Sequence, residues 1–232
     1  MNVSVTEIGK AFMKPTRMRL NCSFSVKDKK ALESIVQLAK RVSLFSDVSE
    51  NYLKGRDFSI EKGKVITLKE YKLSETTKGV VNKVTEKEKV FSHYSSSQKV
   101  TVECDIDIDI LLNILNYLVK DETVVSYNFD FYLLDNEEEH ICGLAIQDAI
   151  RKGYKVAESV AFVDKKENVC LESVSVGSKK ALDNVYHEDC ELSKFGVKGK
   201  NNTKNDLVVL KDNIEVKDIY SRVSVNMIFS VS

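Results

Sequence analysis

Apolar and polar residues alternate with two different periods in the central part of the chain. Residues 100–106 and 125–133 alternate with a period of two, which is typical of strands. Residues 110–118 carry apolar side chains at helical spacing, and residues 138–163 predict a long helix. A further strand is expected at 169–176. The long helix has a small residue at every fourth position: Ala145, Ala149, Gly153 and Ala157. Close packing against this row would compensate for a helix-interior glycine, which costs about 1 kcal/mol relative to alanine.

The N-terminal part has a similar strand and helix order. Residues 3–13 predict a strand that is broken near Gly9, and residues 16–26 predict a second strand. We expect Asp28 to cap the next helix, because its carboxylate can accept hydrogen bonds from first-turn amides. This helix is expected to run to about Phe45. The stripe that we expect to face the core is Leu32, Ile35, Val36, Ala39 and Val42.

The remaining segments predict strands that are separated by polar stretches. Strand material around residues 65–73 follows Gly63, and residues 74–89 predict either a loop or a solvated edge hairpin. Residues 90–106 return to a strand with a soft break at the serines 95–97. Residues 214–231 predict a C-terminal strand that lies in a sheet. The segment 177–212 has few large apolar side chains, and we expect it to be a long flexible loop.

The charge balance narrows the classes of partner. Lys+Arg and Asp+Glu both total 35, so the formal net charge is zero. Nucleic acids and anionic membranes need a clustered positive field, and nothing in this balance favours either. A net charge near zero also gives weak protection against self-association. We therefore expect no nucleic-acid partner.

The five cysteines and the N-terminus bear on the compartment. Cys22, Cys104, Cys142, Cys170 and Cys190 are odd in number and widely spaced, which favours free thiols in a reducing compartment. The first residues show no basic segment followed by an apolar one, so no signal peptide is predicted. No apolar run approaches the length of a transmembrane helix. The expected location is the cytoplasm.

An acidic cluster is the first candidate for chemistry. Asp105, Asp107 and Asp109 have the spacing of a calcium loop. However, the glycine and glutamate that an EF-hand needs are replaced by Ile110 and Asn116. We expect one of the three aspartates to cap a helix instead.

The remaining candidates are weaker. His140 and Cys142 are two residues apart near a helix start, so they would not share a helical face. His187 and Cys190 have no second ligand pair for zinc. The basic, glycine-containing segment 196–200 does not open a predicted helix, as an anion site would require. The aromatic residues Tyr127, Phe129, Phe131 and Tyr132 indicate core packing more than base stacking. We therefore assign no catalytic, cofactor-binding or metal-binding residue.

Five segments resemble the SIMPL-domain family, which is widespread in bacteria. They are the opening strand with glycine and then Pro15, the central strand 94–102, the aromatic strand 124–134, the alanine-spaced helix 145–157 and the closing strand 221–232. Two departures are Gly153, where the family usually has alanine, and 160–164, which lacks the glycine that commonly follows the helix. Many bacterial members also carry an export signal.

The resemblance implies an α+β fold with antiparallel β-sheets and helices packed on one face. It implies one SIMPL-like domain over residues 1–232, and two α+β subdomains at about 1–90 and 91–232 are the alternative. It also implies assembly into higher oligomers, stress-linked roles in some members and no agreed catalytic residues. We expect a non-enzymatic homo-oligomer that can also bind a protein partner. One alternative is a small-molecule or metal-dependent enzyme with its site in the 178–212 loop. Another is an adaptor that uses an exposed sheet edge.

Overall fold

The computed structural model describes residues 1–78, 84–166, 168–179, 214 and 216–232. These residues form an α+β fold of antiparallel sheets and helices, which confirms the predicted fold class. The elements are β1 (Asn2–Met13), β2 (Arg17–Asp28), α1 (Ala31–Leu53), β3 (Phe58–Lys62), β4 (Ile66–Lys78), β5 (Val84–Asp105), α2 (Ile108–Lys120), β6 (Val124–Tyr132), α3 (Asp135–Val163), β7 (Val169–Lys179) and β8 (Ile219–Val231).

The described chain divides into two compact units. The first contains residues 1–17, 131–179 and 216–232, and the second contains residues 18–130. Residue 90 lies within β5, inside the second unit. That residues 1–232 act as one domain stays a prediction. The predicted 178–212 loop falls almost entirely outside the described residues, except that 178–179 end β7.

The first unit is a three-stranded sheet, in the order β1-β8-β7, with α3 packed on it. β8 pairs antiparallel with β1 along its length, from Ile219 opposite Met13 to Ser230 opposite Asn2. The predicted C-terminal strand is confirmed from Ile219 onward, and every second residue from Val223 to Val231 is buried. The small-residue row of α3 is buried as well, so α3 meets this face as its spacing predicts.

β1 runs without interruption through Gly9, so the predicted break there is wrong. The glycine serves a close approach of two elements. A methyl group on Gly9 would collide with the Ala145 carbonyl oxygen and would lie 2.7 Å from the Ala149 backbone nitrogen. No side chain larger than a hydrogen atom fits at residue 9, where β1 contacts α3. In a sequence, a glycine that permits such close packing cannot be told from a glycine that breaks a strand.

The second unit is a sheet in the order β3-β5-β2-β6, with β4 also paired to β5. The second strand predicted at 16–26 is confirmed, and one of its faces points into the core. The members of this face, all buried, are Met18, Leu20, Cys22, Phe24 and Val26. α1 packs on β5 and α2 packs on α1. Phe24 and Phe45 lie in the core with their ring centroids 5.2 Å apart.

α1 differs from its prediction in its start, its end and its buried face. Lys30 stands at the N-cap without a side-chain cap, while the Asp28 carboxylate accepts from the Lys30 backbone N–H at 2.9 Å. The helix continues eight residues past Phe45 to Leu53. The predicted stripe is wrong at three of its five positions, because Leu32, Val36 and Ala39 are exposed. Ile35 is half-buried, and Val42 is the one member that is buried. The residues that face the core are Ser34, Leu38, Val42, Phe45, Ser46, Ser49 and Leu53.

β5 is continuous through residues 95–97, so the predicted soft break is also wrong. Ser96 is fully buried, and its hydroxyl lies 2.7 Å from the Ser34 hydroxyl and 2.9 Å from the Thr67 hydroxyl. These bonds satisfy the buried oxygen that would otherwise be costly. The irregularity lies instead at Ser92, the extra residue of a β-bulge between the pairs Glu70–His93 and Tyr71–Phe91.

The four described cysteines form no disulfide with each other and are divided between the two units. Cys22 and Cys104 are buried in strands of the second unit, and burial raises the pKa of the Cys22 thiol. Cys142 and Cys170 belong to the first unit, where Cys142 is half-buried and Cys170 is exposed.

Candidate interaction surface

The clearest candidate surface of the second unit is the hairpin of β4 and β5. The two strands pair antiparallel from Ile66 opposite Ser97 to Lys78 opposite Val84. The sequence predicted either a loop or an edge hairpin for residues 74–89. The described residues of this range pair as strands, which favours the hairpin. We define the hairpin surface by its described side chains in residues 66–74 and 89–97.

One face of the hairpin carries an aromatic cluster. Residues opposite each other in an antiparallel pair share a face, so Tyr71 and Phe91 lie on the same side as Ser96. Ser96 contacts Ser34 of α1, so this is the face on which α1 packs. The Tyr71 and Phe91 rings meet edge to face at 6.5 Å, and the Phe91 and Tyr94 rings lie 5.1 Å apart.

A lysine completes this cluster. The Lys69 ammonium lies 5.5 Å from the Tyr71 ring centroid and 5.4 Å from the Phe91 centroid. Both distances are within the range of a cation–π interaction. Tyr71 is nevertheless 53% exposed and Phe91 is 38% exposed, so the rings remain available to a partner.

The opposite face of the hairpin is also apolar at several positions. Ile66, Leu68 and Val90 are exposed there, Leu68 at 59%. A polar pair lies among them, because the His93 Nε2 and the Glu70 carboxylate are 3.2 Å apart. A strand with solvent on one face normally alternates apolar and polar positions. Here both faces expose large apolar side chains, which is a feature of interaction sites.

An open cleft of about 550 Å³ lies beside the N-terminus of α1. It is lined by Lys27, Asp28, Lys29, Lys30, Glu33, Ser92 and His93. Its charges are partly paired with each other, because the Lys30 ammonium binds the Glu33 carboxylate at 2.6 Å. This pair raises the pKa of Lys30, with the hydrogen bond to Glu33 as the largest cause. The ion pair between Lys30 and Glu33 therefore adds no net charge to the cleft.

One residue of the acidic cluster caps α2 at its start. Asp107 is the N-cap residue, and its carboxylate accepts a hydrogen bond from the Ile110 backbone N–H at 3.0 Å. The same carboxylate pairs with the Arg56 guanidinium at 2.7 Å. Asp105 and Asp109 are exposed and have interactions of their own. The prediction that one aspartate caps a helix is confirmed.

The other sequence candidates are not assembled into a site within the described residues. His140 is exposed, whereas Cys142 packs against the core of the first unit. Phe131 is buried, and Tyr127, Phe129 and Tyr132 are half-buried. His187, Cys190 and the segment 196–200 lie outside the described residues, as does most of the 178–212 loop of the enzyme alternative. That alternative stays a prediction.

Two features are absent from the part of the chain that the structure describes. There, no three residues among His, Cys, Asp and Glu come together as a metal site would require. Also, none of the helices seen in those ranges is both long enough and apolar enough to cross a bilayer.

Sequence reasoning identified the strands of the hairpin but missed its exposed aromatic cluster. A signal was present in β4, where the apolar residues are Ile66, Leu68, Tyr71 and Leu73. Their phase changes between Leu68 and Tyr71, so no single face can contain all four residues. β4 therefore has apolar residues on both of its faces, with charged residues between them. A strand of this kind is not fully buried, so the pattern could have indicated an exposed surface.

The fold and surface define a class of α+β protein with a long, exposed hairpin. The comparison with known families is consistent with this class. Residues 3–180 match the SIMPL family, described as a protein of unknown function (DUF541), and the chain belongs to this family. A comparison with curated proteins gave no match.

Proposed function

We propose that this protein is non-enzymatic and acts by self-assembly and protein–protein interaction through its hairpin surface. The observation that supports the proposal is the exposure of large apolar side chains on both faces of one hairpin, with Leu68 59%, Tyr71 53% and Leu73 65% exposed. Covering such side chains is favourable, because each Å² of apolar surface removed from water contributes about 25 cal/mol.

The electrostatic balance supports the same proposal. The chain has a formal net charge of zero, so two copies do not repel each other through their overall charge. The aromatic cluster also has the composition of an interface core, where tyrosine and phenylalanine are enriched.

Light scattering coupled to size exclusion tests the proposal at two concentrations and two salt concentrations. We expect the wild-type chain to form a discrete oligomer that resists salt. The double variant Leu68→Thr and Leu73→Thr should shift it toward the monomer, because threonine keeps the β-propensity but removes apolar area. Val125→Thr is the matched control, since Val125 is 60% exposed on a different strand of the same unit. A wild-type monomer at every concentration would refute self-assembly.

The proposed location is the cytoplasm. The thiols of Cys22 and Cys170, which are in no disulfide, support a reducing compartment. Fractionation of the producing cells, with thiol labelling of each fraction, tests this location. Recovery of the native protein solely from an oxidising compartment would contradict it.

A further inference from the structure

The outer edge of β4 carries the pattern of a self-complementary interface. Among the described strands, β4 pairs with β5 alone, so no described strand covers the backbone groups on its other edge. An edge of this kind is a template for pairing with another chain. Side chains that flank it are exposed, including Leu68, Tyr71 and Leu73.

We infer that a second copy of this chain pairs with this edge, β4 to β4, antiparallel about a two-fold axis through Tyr71. This inference rests on the proposed function, because it names the partner and the register of the proposed self-assembly. In an isologous contact the same segment meets itself, so the sequence must be complementary to its own reverse. In the segment 68–74, Leu-Lys-Glu-Tyr-Lys-Leu-Ser, the two residues that flank Tyr71 meet this condition, because Glu70 and Lys72 carry opposite charges.

The charges favour this register over those centred on the neighbouring charged residues. With Tyr71 on the axis, Glu70 of each copy lies opposite Lys72 of the other, which gives two ion pairs on one face of the joined sheet. On the other face, Lys69 lies opposite Leu73, beside the paired Tyr71 rings. A register centred on Glu70 places two carboxylates opposite each other, and one centred on Lys69 or Lys72 places two ammonium groups opposite each other. Like charges in that position are destabilising.

The charged residues have a second interpretation, which the experiment separates. Lysines on edge strands commonly protect a sheet from association. If Lys69 and Lys72 protect the β4 edge, removing a positive charge promotes association. If Lys72 pairs with Glu70 of a second copy, reversing its charge weakens association. The two interpretations therefore predict opposite signs for Lys72→Glu.

Sedimentation velocity of the full chain over a concentration series measures the effect. We expect Lys72→Glu and Glu70→Lys each to raise the dissociation constant on the order of tenfold to a hundredfold, since each reversal replaces two attractive pairs by repulsive ones. The double variant Glu70→Lys with Lys72→Glu restores both pairs and should return to within about threefold of wild type. Glu61→Lys, an exposed charge reversal on β3, is the control for net charge. Failure of the double variant to recover would overturn the register.

Cross-linking gives a second readout that does not depend on affinity. In a chain with Cys170→Ser and Cys190→Ser, Tyr71→Cys places two thiols across the axis, where opposite Cα atoms lie about 4.5–5.5 Å apart and a disulfide can form. Leu73→Cys is the matched control, because each Leu73 lies opposite Lys69 of the other copy and far from its own equivalent. Rapid oxidation to a covalent dimer by Tyr71→Cys, but not by Leu73→Cys, supports the pairing.

The outcomes distinguish this inference from the proposed function. An oligomer that withstands both charge reversals and does not cross-link through Tyr71→Cys overturns the β4 pairing but leaves self-assembly in place. A chain that is monomeric throughout, with Leu68→Thr and Leu73→Thr without effect, overturns both.

Discussion

Replacing Gly9 with alanine should destabilise the first unit, although the same substitution at Gly143 should stabilise it. A methyl group on Gly9 would meet backbone atoms of α3, the Ala145 carbonyl and the Ala149 nitrogen, which cannot rotate away as a side chain can. At Gly143, nothing lies within 4 Å of the added atom, and the residue is inside α3. The two positions therefore receive one methyl group with opposite consequences.

The magnitudes follow from this geometry. Overpacking a well-packed site costs about 1–3 kcal/mol, and a clash with backbone belongs at the upper end. Loss of glycine freedom in the unfolded chain returns about 0.4–1 kcal/mol. We expect Gly9→Ala to lower the free energy of unfolding of the first unit by about 2 kcal/mol. Gly143→Ala should raise it by up to about 1 kcal/mol, the difference in helix propensity.

Differential scanning calorimetry and urea denaturation monitored by circular dichroism measure both variants. For a chain of this size, each kcal/mol corresponds to a shift of about 2–4 °C in Tm. We therefore expect Gly9→Ala to fall by about 4–8 °C and Gly143→Ala to rise by about 2–4 °C. Equal shifts of the same sign would refute the reasoning, because they would mean that the contact between β1 and α3 does not decide the outcome at Gly9.

Three further predictions concern single side chains. Asp148→Asn should weaken the first unit by about 1 kcal/mol, because bonds from Lys152, Arg151 and the Lys10 amide hold the pKa of Asp148 well below its usual range. Asp107→Ala should cost the second unit about 1 kcal/mol through loss of the α2 cap, whereas Asp107→Asn should retain most of it. Gly153→Ala should be nearly neutral, because about 1 kcal/mol of helix propensity is offset by displacing the flexible Met227 side chain. Urea titrations measure all three.

The effect of Asp148→Asn on stability should also depend on pH. A carboxylate with a lowered pKa contributes stability above its unfolded pKa of about 3.9, and this contribution disappears as the pH falls toward its folded pKa. The difference between wild type and Asp148→Asn should thus be constant above about pH 5 and shrink below about pH 4. A difference that grew on acidification would contradict this account.

For Asp107, equal losses in the alanine and asparagine variants would exclude the cap as the cause. A large destabilisation by Gly153→Ala would show that Met227 cannot move.

The sequence predicted the regular elements where one period ran long enough to dominate. In β8, a single face is buried over its whole length, so alternation alone identifies the inward residues. The row from Ala145 to Ala157 predicted which side of α3 meets the sheet, because small residues permit close approach. Both signals are local and come from residues that pack in the same direction.

The predictions were wrong where the role of a residue depends on a contact with a residue far away in the sequence. Ser34 and Ser96 are polar, but each satisfies the other in the core, so the buried face of α1 was misplaced and a strand break was predicted wrongly in β5. Gly9 depends on α3, which lies more than 120 residues further along the chain. The exposed aromatic cluster depends on the bulge at Ser92, which shifts the phase of β5 relative to β4. A linear pattern contains none of these partners.

The two buried cysteines of the second unit make the opening of that unit measurable with a thiol reagent. Cys22 and Cys104 are enclosed by the second unit, so a thiol reagent can reach them only when that unit opens. In a chain that carries serine at positions 142, 170 and 190, the rate of labelling would report the opening of the second unit alone. Two native cysteines can thus serve as a probe for the opening rate of the second unit, with no contribution from the first unit.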